Sequence, residues 1–279
     1  MRDLVRGRAK RKAVDTAAKL LGQAPKRATF LCSYPKSGRT WLRFVVASYL
    51  DLLFGLGIDV DFRSLFTLVP NDKLKARGLS EYHYWGDPRV PLVVASHAPY
   101  DDRFGDSDII FMVRSPLDVL VSQYYHRTNQ LHAFQGDLGD YVRDPDHGVA
   151  RLVAYLNSWA EPLGERRSLV VSYEAMQADA VSVAATVAAF VGLPSDLDAL
   201  KEAVDRSSFE RMRDLEIRDG IPGHQYDRAN PDARRVREGR VGAFREHLAA
   251  EDLEYVRSAL RDRLTPTAAA LLREAGVAP

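Results

Sequence analysis

The stretch Phe30-Leu31-Cys32-Ser33-Tyr34-Pro35-Lys36-Ser37-Gly38-Arg39-Thr40-Trp41 constrains the chain most. A short apolar run of β-propensity leads into a Pro, a Lys and a Gly, and an apolar-periodic segment from Trp41 to Phe54 follows, so the pattern predicts strand, tight loop, helix. Amides at a helix start lack intrahelical acceptors and sit at the positive end of its dipole, so such a loop can wrap an anion. Lys36 adds a mobile charge, Ser37 and Thr40 add hydroxyl donors, and Gly38 lets the backbone turn without a Cβ. The order is not Walker A, which needs Gly, four residues, then Gly-Lys-Ser/Thr. Here no first Gly exists and Lys precedes the Gly by two. The competing reading is a plain strand-to-helix turn with an exposed Lys.

With 279 residues, 46% of them hydrophobic, the chain can bury a substantial core, and one domain is expected over residues 1–279. Within it we expect a leading extension over 1–27, a core over about 28–248 and C-terminal helices over 249–279. The formal charge is +1, from 39 basic and 38 acidic residues, so no global field favours nucleic acid or an anionic membrane. Any anion recognition must be local. The single Cys excludes an intrachain disulfide framework and a zinc-type cysteine cluster. Met1 to Lys12 is basic with no signal-peptide core behind it, and Phe44 to Ile58, broken by Asp51, is short for a membrane span. These features read as a cytoplasmic protein with no transmembrane segment.

Asp3 to Leu21 reads as a leading amphipathic helix, either an acidic-surface contact or a solvated helix packed on the domain. The mixed segment Asp59 to Pro91, with Phe62, Phe66, Tyr82, Tyr84 and Trp85, reads in part as an acceptor-site wall; its aromatics could equally pack beneath the loop. Leu92 to Ser96 is a strand-length apolar run that ends at His97. Ligands in open α/β sheets bind beyond the carboxyl ends of strands, where this imidazole could take a proton from a hydroxyl or serve structure alone. Asp108 to Val113 is a second buried strand, and it ends at Arg114. Pro116 and Asp118 then suit the start of a helix, and Ser122 lies on the side of Arg114 two turns along. Arg114 either binds an oxyanion with its planar fork or pairs locally.

Further helices are expected over Val149 to Leu163, Ala180 to Val191, Asp196 to Val204 and Glu251 to Gly276, with a strand over Ser168 to Ser172. Arg127 to Asp146 reads as a loop with at most a short helix, and Arg213 to Arg235 as a mobile loop able to serve as a lid, with His224 unassigned.

Two motifs in order make a resemblance specific. Tyr-Pro-Lys-Ser-Gly-Arg-Thr-Trp at 34–41 resembles the 5′-phosphosulfate loop of the sulfotransferases that use 3′-phosphoadenosine 5′-phosphosulfate (PAPS). Arg114, seven residues, then Ser122, with Asp-Val between and Tyr-Tyr following, resembles the 3′-phosphate motif of the same family. His97, followed by Pro99, matches the place of the family's catalytic base. Tyr173-Glu174 and Ser208-Phe209 resemble adenine-contacting segments, with Trp41 as the opposing ring. Val236-Arg237-Glu238-Gly239 resembles the late Arg-Lys-Gly segment, with Glu238 in place of Lys. Ala95 stands where cytosolic-type relatives carry a Lys, and Ala243-Phe244 replace Asp-Trp. The resemblance spans roughly Thr29 to Arg245.

This resemblance to the cytosolic-type sulfotransferase domain implies an α/β, P-loop-containing nucleotide-hydrolase-like fold, a central parallel sheet flanked by helices. It implies PAPS as co-substrate, adenosine 3′,5′-bisphosphate (PAP) as product, and no metal. It places catalysis on His97, Lys36 and Ser122. It assigns the donor site to Lys36, Ser37, Gly38, Arg39, Thr40 and Trp41, to Arg114, Ser122, Tyr173 and Phe209, and to Arg237, Glu238 and Gly239. The acceptor is a small-molecule, glycan or lipid hydroxyl, no nucleic acid partner is implied, and a homodimer is compatible. A P-loop small-molecule kinase and a non-catalytic nucleotide-binding module are the alternatives.

Overall fold

Four short runs of apolar and β-branched residues pair into one parallel sheet: β1 (Thr29–Ser33), β2 (Val93–Ser96), β3 (Asp108–Val113) and β4 (Ser168–Ser172), in the order β2-β1-β3-β4. The computed structural model describes residues 28–72 and 90–278. The helix expected over Asp3 to Leu21 and the aromatics Tyr82, Tyr84 and Trp85 lie outside the described residues.

Register brings the strand ends level. Cys32 of β1 pairs with Ser96 of β2 and with Phe111 of β3, and Val113 pairs with Ser172 of β4. The residues that follow each strand therefore emerge along one edge of the sheet, as in open α/β folds generally. The period-two alternation divides the core. Leu31, Val93, Ile110, Met112 and Val171 face one apolar cluster, while Cys32, Ile109, Phe111 and Val113 face another. Cys32 is a free, buried thiol in the core of β1.

On the first face lie α1 (Arg39–Phe54), the short α2 (Ser64–Leu68), and α6 (Tyr173–Phe190) and α7 (Leu197–Arg206). The second face is covered by α3 (Pro116–Tyr125), α4 (Leu138–Arg143), α5 (Val149–Gly164), α9 (Ala250–Arg263) and α10 (Pro266–Glu274). α8 (Phe209–Asp219) follows α7. The open edge of β2 is covered by residues 70–72: Ala95 N–H donates to Pro70 O at 2.7 Å, and Asp72 N–H donates to Ala95 O at 3.0 Å.

Several elements differ from expectation for identifiable reasons. The helix expected from Ala180 starts at Tyr173, but Asp179 breaks it with φ −154° and ψ 85° and caps the second part by accepting from Ser182 N–H at 3.0 Å. The C-terminal helix is two helices, because Pro266 cannot continue a helix and instead starts α10, with Thr265 as its cap. Phe62 and Phe66 are core residues rather than a site wall; Phe62 packs edge-to-face on Phe44 at 5.0 Å between centroids.

Arg213 to Asp219 is helical rather than loop. The segment after it is also tied down. Glu216, 0% exposed, accepts from Arg235 N–H at 2.6 Å, Val236 N–H at 2.8 Å and Tyr226 O–H at 2.6 Å. A buried carboxylate with three donors fixes the chain around it, so this segment is a fixed wall rather than the expected lid.

Candidate active site

The loop from Tyr34 to Gly38 takes its shape from two left-handed residues. Lys36 has φ 71° and Gly38 φ 92°. The first is unusual for a side chain with a Cβ, and such conformations collect at functional sites. At Gly38 a Cβ would come within 2.4 Å of the Tyr173 ring, so glycine is needed there for space as well as for φ. The turn at Lys36 sends Ser37 inward: it is 3% exposed, its N–H reaches Tyr34 O at 3.4 Å, and it is absent from the cavity wall. The hydroxyl expected from Ser37 is therefore not presented there. Thr40 does line the cavity, and the amides that open α1 have no acceptors within their own helix.

A cavity of about 370 Å³ lies above the sheet edge. Its wall brings together Lys36, Gly38, Arg39, Thr40, Trp41, His97, Arg114, Ser122, Tyr173, Phe209, Arg237, Glu238 and Gly239, every candidate residue except Ser37. Each strand contributes through the residues just past its end: β1 the loop, β2 His97, β3 Arg114 and β4 Tyr173. A second recess of about 410 Å³ includes Asp51, Glu202 and Arg206, and these are paired with one another: Arg206 lies 3.3 Å from Asp51 and 2.8 Å from Glu202.

His97 is exposed, and its Nδ1 lies 2.7 Å from Ser33 O. A carbonyl can only accept, so Nδ1 carries the hydrogen and the lone pair of the neutral ring sits on Nε2. Lys36 Nζ donates to Arg235 O at 3.3 Å. Burial pulls the Lys36 pKa down to about 7; Arg235 adds to this, Glu216 opposes it, and Arg237 and Arg114 add further.

Arg114 is clamped. It donates to Arg240 O at 2.9 Å and Lys36 O at 3.5 Å, stacks over the Tyr173 ring at 4.3 Å, and lies 3.8 Å from Asp118. Asp118, 2% exposed, accepts from Gly242 N–H at 2.8 Å and Phe244 N–H at 3.0 Å, so it fastens the late segment to α3. Burial raises the Tyr173 pKa against the pull of Arg114, and its hydroxyl accepts from Gln177 at 3.0 Å. Gln177 also donates to Gly239 O at 2.9 Å, where a Cβ would meet the Phe209 ring at 2.5 Å. Arg237 stacks over Tyr125 at 4.0 Å and pairs closely with Glu238, which also meets His247 at 2.9 Å and Arg240 at 3.7 Å.

The wall also includes residues that sequence reasoning missed: Gln123, His126, Arg127, Gln177 and Arg235. α3 continues as a single π-turn, His126–Gln130, a feature frequent at functional sites. The missed signal was the spacing Asp118, Ser122, His126, which puts three polar side chains on one helix face. Burial, Lys36, Arg235 and His224 hold the His126 pKa well below its usual value, so this ring is neutral. His224 lines the cavity too, 6.4 Å from His126 between centroids. Among the described residues there is no group of three or more His, Cys, Asp or Glu able to hold a metal ion, and no helix is long and apolar enough to cross a membrane.

Chemically, the wall offers hydrogen-bond donors and cations for anionic groups, aromatic faces for a flat ring, and the imidazoles of His97, His126 and His224. The family model described as "Sulfotransferase domain" matches residues 26–268. Human sulfotransferase 4A1 is 29% identical over 188 residues, which cover 62% of this chain and 63% of that protein's length. Flavonol 3-sulfotransferase of Flaveria bidentis is 24% identical over 261 residues, covering 85% of this chain and 82% of its own. In structure, the chain is similar to mouse sulfotransferase SULT7A1 complexed with PAP, with TM-score 0.64, 19% identity, and 92% and 94% of the two chains covered. It is also similar to retinol dehydratase complexed with retinol and PAP, with TM-score 0.63, 17% identity, and 86% and 82% covered. The structural likeness speaks to the α/β fold, and the match over residues 26–268 shows that the chain belongs to the sulfotransferase domain family.

Proposed function

We propose that this protein transfers the sulfuryl group of PAPS to an acceptor hydroxyl. The observation that carries this reading is the convergence, in one cavity, of the Lys36 loop, Arg114 with Ser122, and His97 with its lone pair on Nε2. The residues fit such a donor. Gly38 and Gly239 are positions where a side chain would collide with Tyr173 and Phe209, and buried donor atoms on the wall, Trp41 Nε1 and Arg114 Nε, have no hydrogen-bond partner among the described residues. Trp41, Tyr173 and Phe209 would hold the adenine; Arg114, Ser122 and Arg237 the 3′-phosphate; Lys36, Thr40 and the α1 amides the 5′-group.

In the transfer, His97 Nε2 takes the acceptor's hydroxyl proton as the acceptor oxygen bonds to sulfur. The bond from sulfur to the bridging oxygen breaks, and its electron pair leaves on the 5′-phosphate of PAP. Lys36 and the α1 amides meet the charge that develops there. Incubation with sulfur-labelled PAPS and a panel of phenols and alcohols tests the reading. Labelled sulfate esters are expected, and their complete absence across phenols, alcohols, glycans and lipid alcohols contradicts it.

Two further results are expected at the donor site. Because Lys36 titrates near pH 7 in the free protein and a bound dianion raises its pKa, PAP binding takes up a proton. Affinity therefore falls as pH rises above about 7. Calorimetry in two buffers of different ionisation enthalpy should give an uptake of roughly half a proton at pH 7, growing toward one at higher pH. Release, or no exchange, would remove Lys36 from the anion site.

Glu238 is the second. It holds the guanidinium of Arg237 where the resemblance places a phosphate. Glu238→Gln removes the competing charge and is expected to tighten PAP by about tenfold. Weaker binding would show instead that Glu238 positions Arg237 for the phosphate.

A further inference from the structure

The resemblance counts Arg39 in the donor loop, but the donor reading uses only part of the cavity's charge and gives the Arg39 guanidinium no phosphate of its own. Beyond Lys36, Arg114 and Arg237, the wall carries the guanidinium groups of Arg39, Arg127 and Arg235. Both carboxylates among the described lining residues belong to the donor half, Asp118 beside Arg114 and Glu238 beside Arg237. Glu216 lies behind Arg235, but its oxygens are taken by two amides and the Tyr226 hydroxyl.

Arg39 is the sharpest case. It is 7% exposed, lines the cavity, and its Nη1 has no hydrogen-bond partner among the described residues. Gln123, also in the wall, is 2% exposed, and among the described residues its Oε1 and Arg235 Nε likewise have no hydrogen-bond partner. A buried guanidinium short of partners is costly unless an anion completes it. Burial draws the Arg39 pKa down to about 10, resisted by Tyr155, Asp72 and Cys32 and reinforced by Arg235, so the two guanidinium groups act on a common space.

The neighbours of Arg39 lie toward His97. Asp72, a neighbour of Arg39, accepts from the Ser96 hydroxyl at 2.7 Å, and Ser96 immediately precedes His97. β2, which ends in His97, is one edge strand of the sheet; β4, which leads into Tyr173, is the other. Arg39 thus stands on the His97 side of the loop, where an acceptor hydroxyl must lie.

We propose that the acceptor is itself acidic: a small phenol or alcohol bearing a carboxylate or phosphate-type group, which Arg39 holds with Arg235 across the cavity while the hydroxyl reaches His97. This rests on the sulfotransferase reading. The bonds made and broken are unchanged; the acid group positions the acceptor.

The test compares transfer from labelled PAPS to 4-hydroxyphenylacetate and its amide, and to 4-hydroxybenzylphosphonate and its dimethyl ester, with PAP titrated into the same preparations. At least one acid should exceed its neutral partner in kcat/KM by about tenfold or more, the size of a charge-assisted hydrogen bond. The carboxylate and phosphonate arms tell which acid group the site takes. Arg39→Gln should erase that preference through KM, and Arg39→Lys should restore part of it. A protein that binds PAP yet favours neither acid overturns the assignment. So does an Arg39→Gln variant that lowers acid and neutral acceptors by the same factor, which would place Arg39 on the transferred sulfuryl group. Failure to bind PAP overturns the sulfotransferase reading, and this assignment with it.

Discussion

Replacing His97 with Ala is expected to lower the rate of the proposed sulfuryl transfer by about 10²–10⁴-fold, the usual contribution of a positioned general base. PAP affinity should stay close to that of the wild type, because His97 lies past β2 while the residues proposed for the 3′-phosphate and the adenine come from α1, from the ends of β3 and β4, and from the chain after α7. The Ser33 carbonyl, 2.7 Å from Nδ1, fixes the hydrogen there and so puts the lone pair of the neutral ring on Nε2, the nitrogen proposed to take the proton. His97→Gln, which keeps a donor for Ser33 but has no comparable basic nitrogen, should be as impaired as His97→Ala. Near-normal turnover in both variants would mean that another group, of which neutral His126 is the nearest in kind, takes the proton.

Arg114→Ala should weaken PAP by about 30–1000-fold, corresponding to roughly 2–4 kcal/mol for a buried charge-assisted contact. Part of the loss is indirect. Arg114 also donates to Arg240 O and stacks on Tyr173, so its removal loosens the late segment and the adenine wall together. Arg114→Lys retains the charge without the planar fork, and recovery of only a small part of the affinity would separate geometry from charge. Calorimetric titration of PAP, with thermal unfolding as the folding control, gives the values. An Arg114→Ala variant that binds PAP as the wild type does would move the 3′-phosphate elsewhere.

The sheet was legible because its strands are buried on both faces and read as unbroken apolar runs with sharp stops. Asp108–Val113 and Ser168–Ser172 match their expected bounds, and the first strand and α1 follow from the loop between them. α8 was not legible, because Arg213, Asp214, Glu216 and Arg218 obscure an inner face made by Met212, Leu215 and the buried Glu216. Within the site, His97, Arg114 and Tyr173 could be placed because each directly follows a strand. Arg235 could not. It reaches the cavity through the hold of Glu216, nineteen positions earlier, on its amide, and no local pattern encodes that contact. Ser37 shows the opposite case, since its hydroxyl type suits an anion loop but the left-handed turn at Lys36 buries it away from the cavity wall.

The most direct measurement is calorimetric titration of PAP into the wild-type protein with and without excess magnesium ATP. A PAPS-dependent sulfotransferase should bind PAP at micromolar concentration or tighter, and the ATP should leave that isotherm unchanged. No binding, or displacement of PAP by magnesium ATP, would contradict the account and return the chain to a kinase-like or degenerate P-loop scaffold.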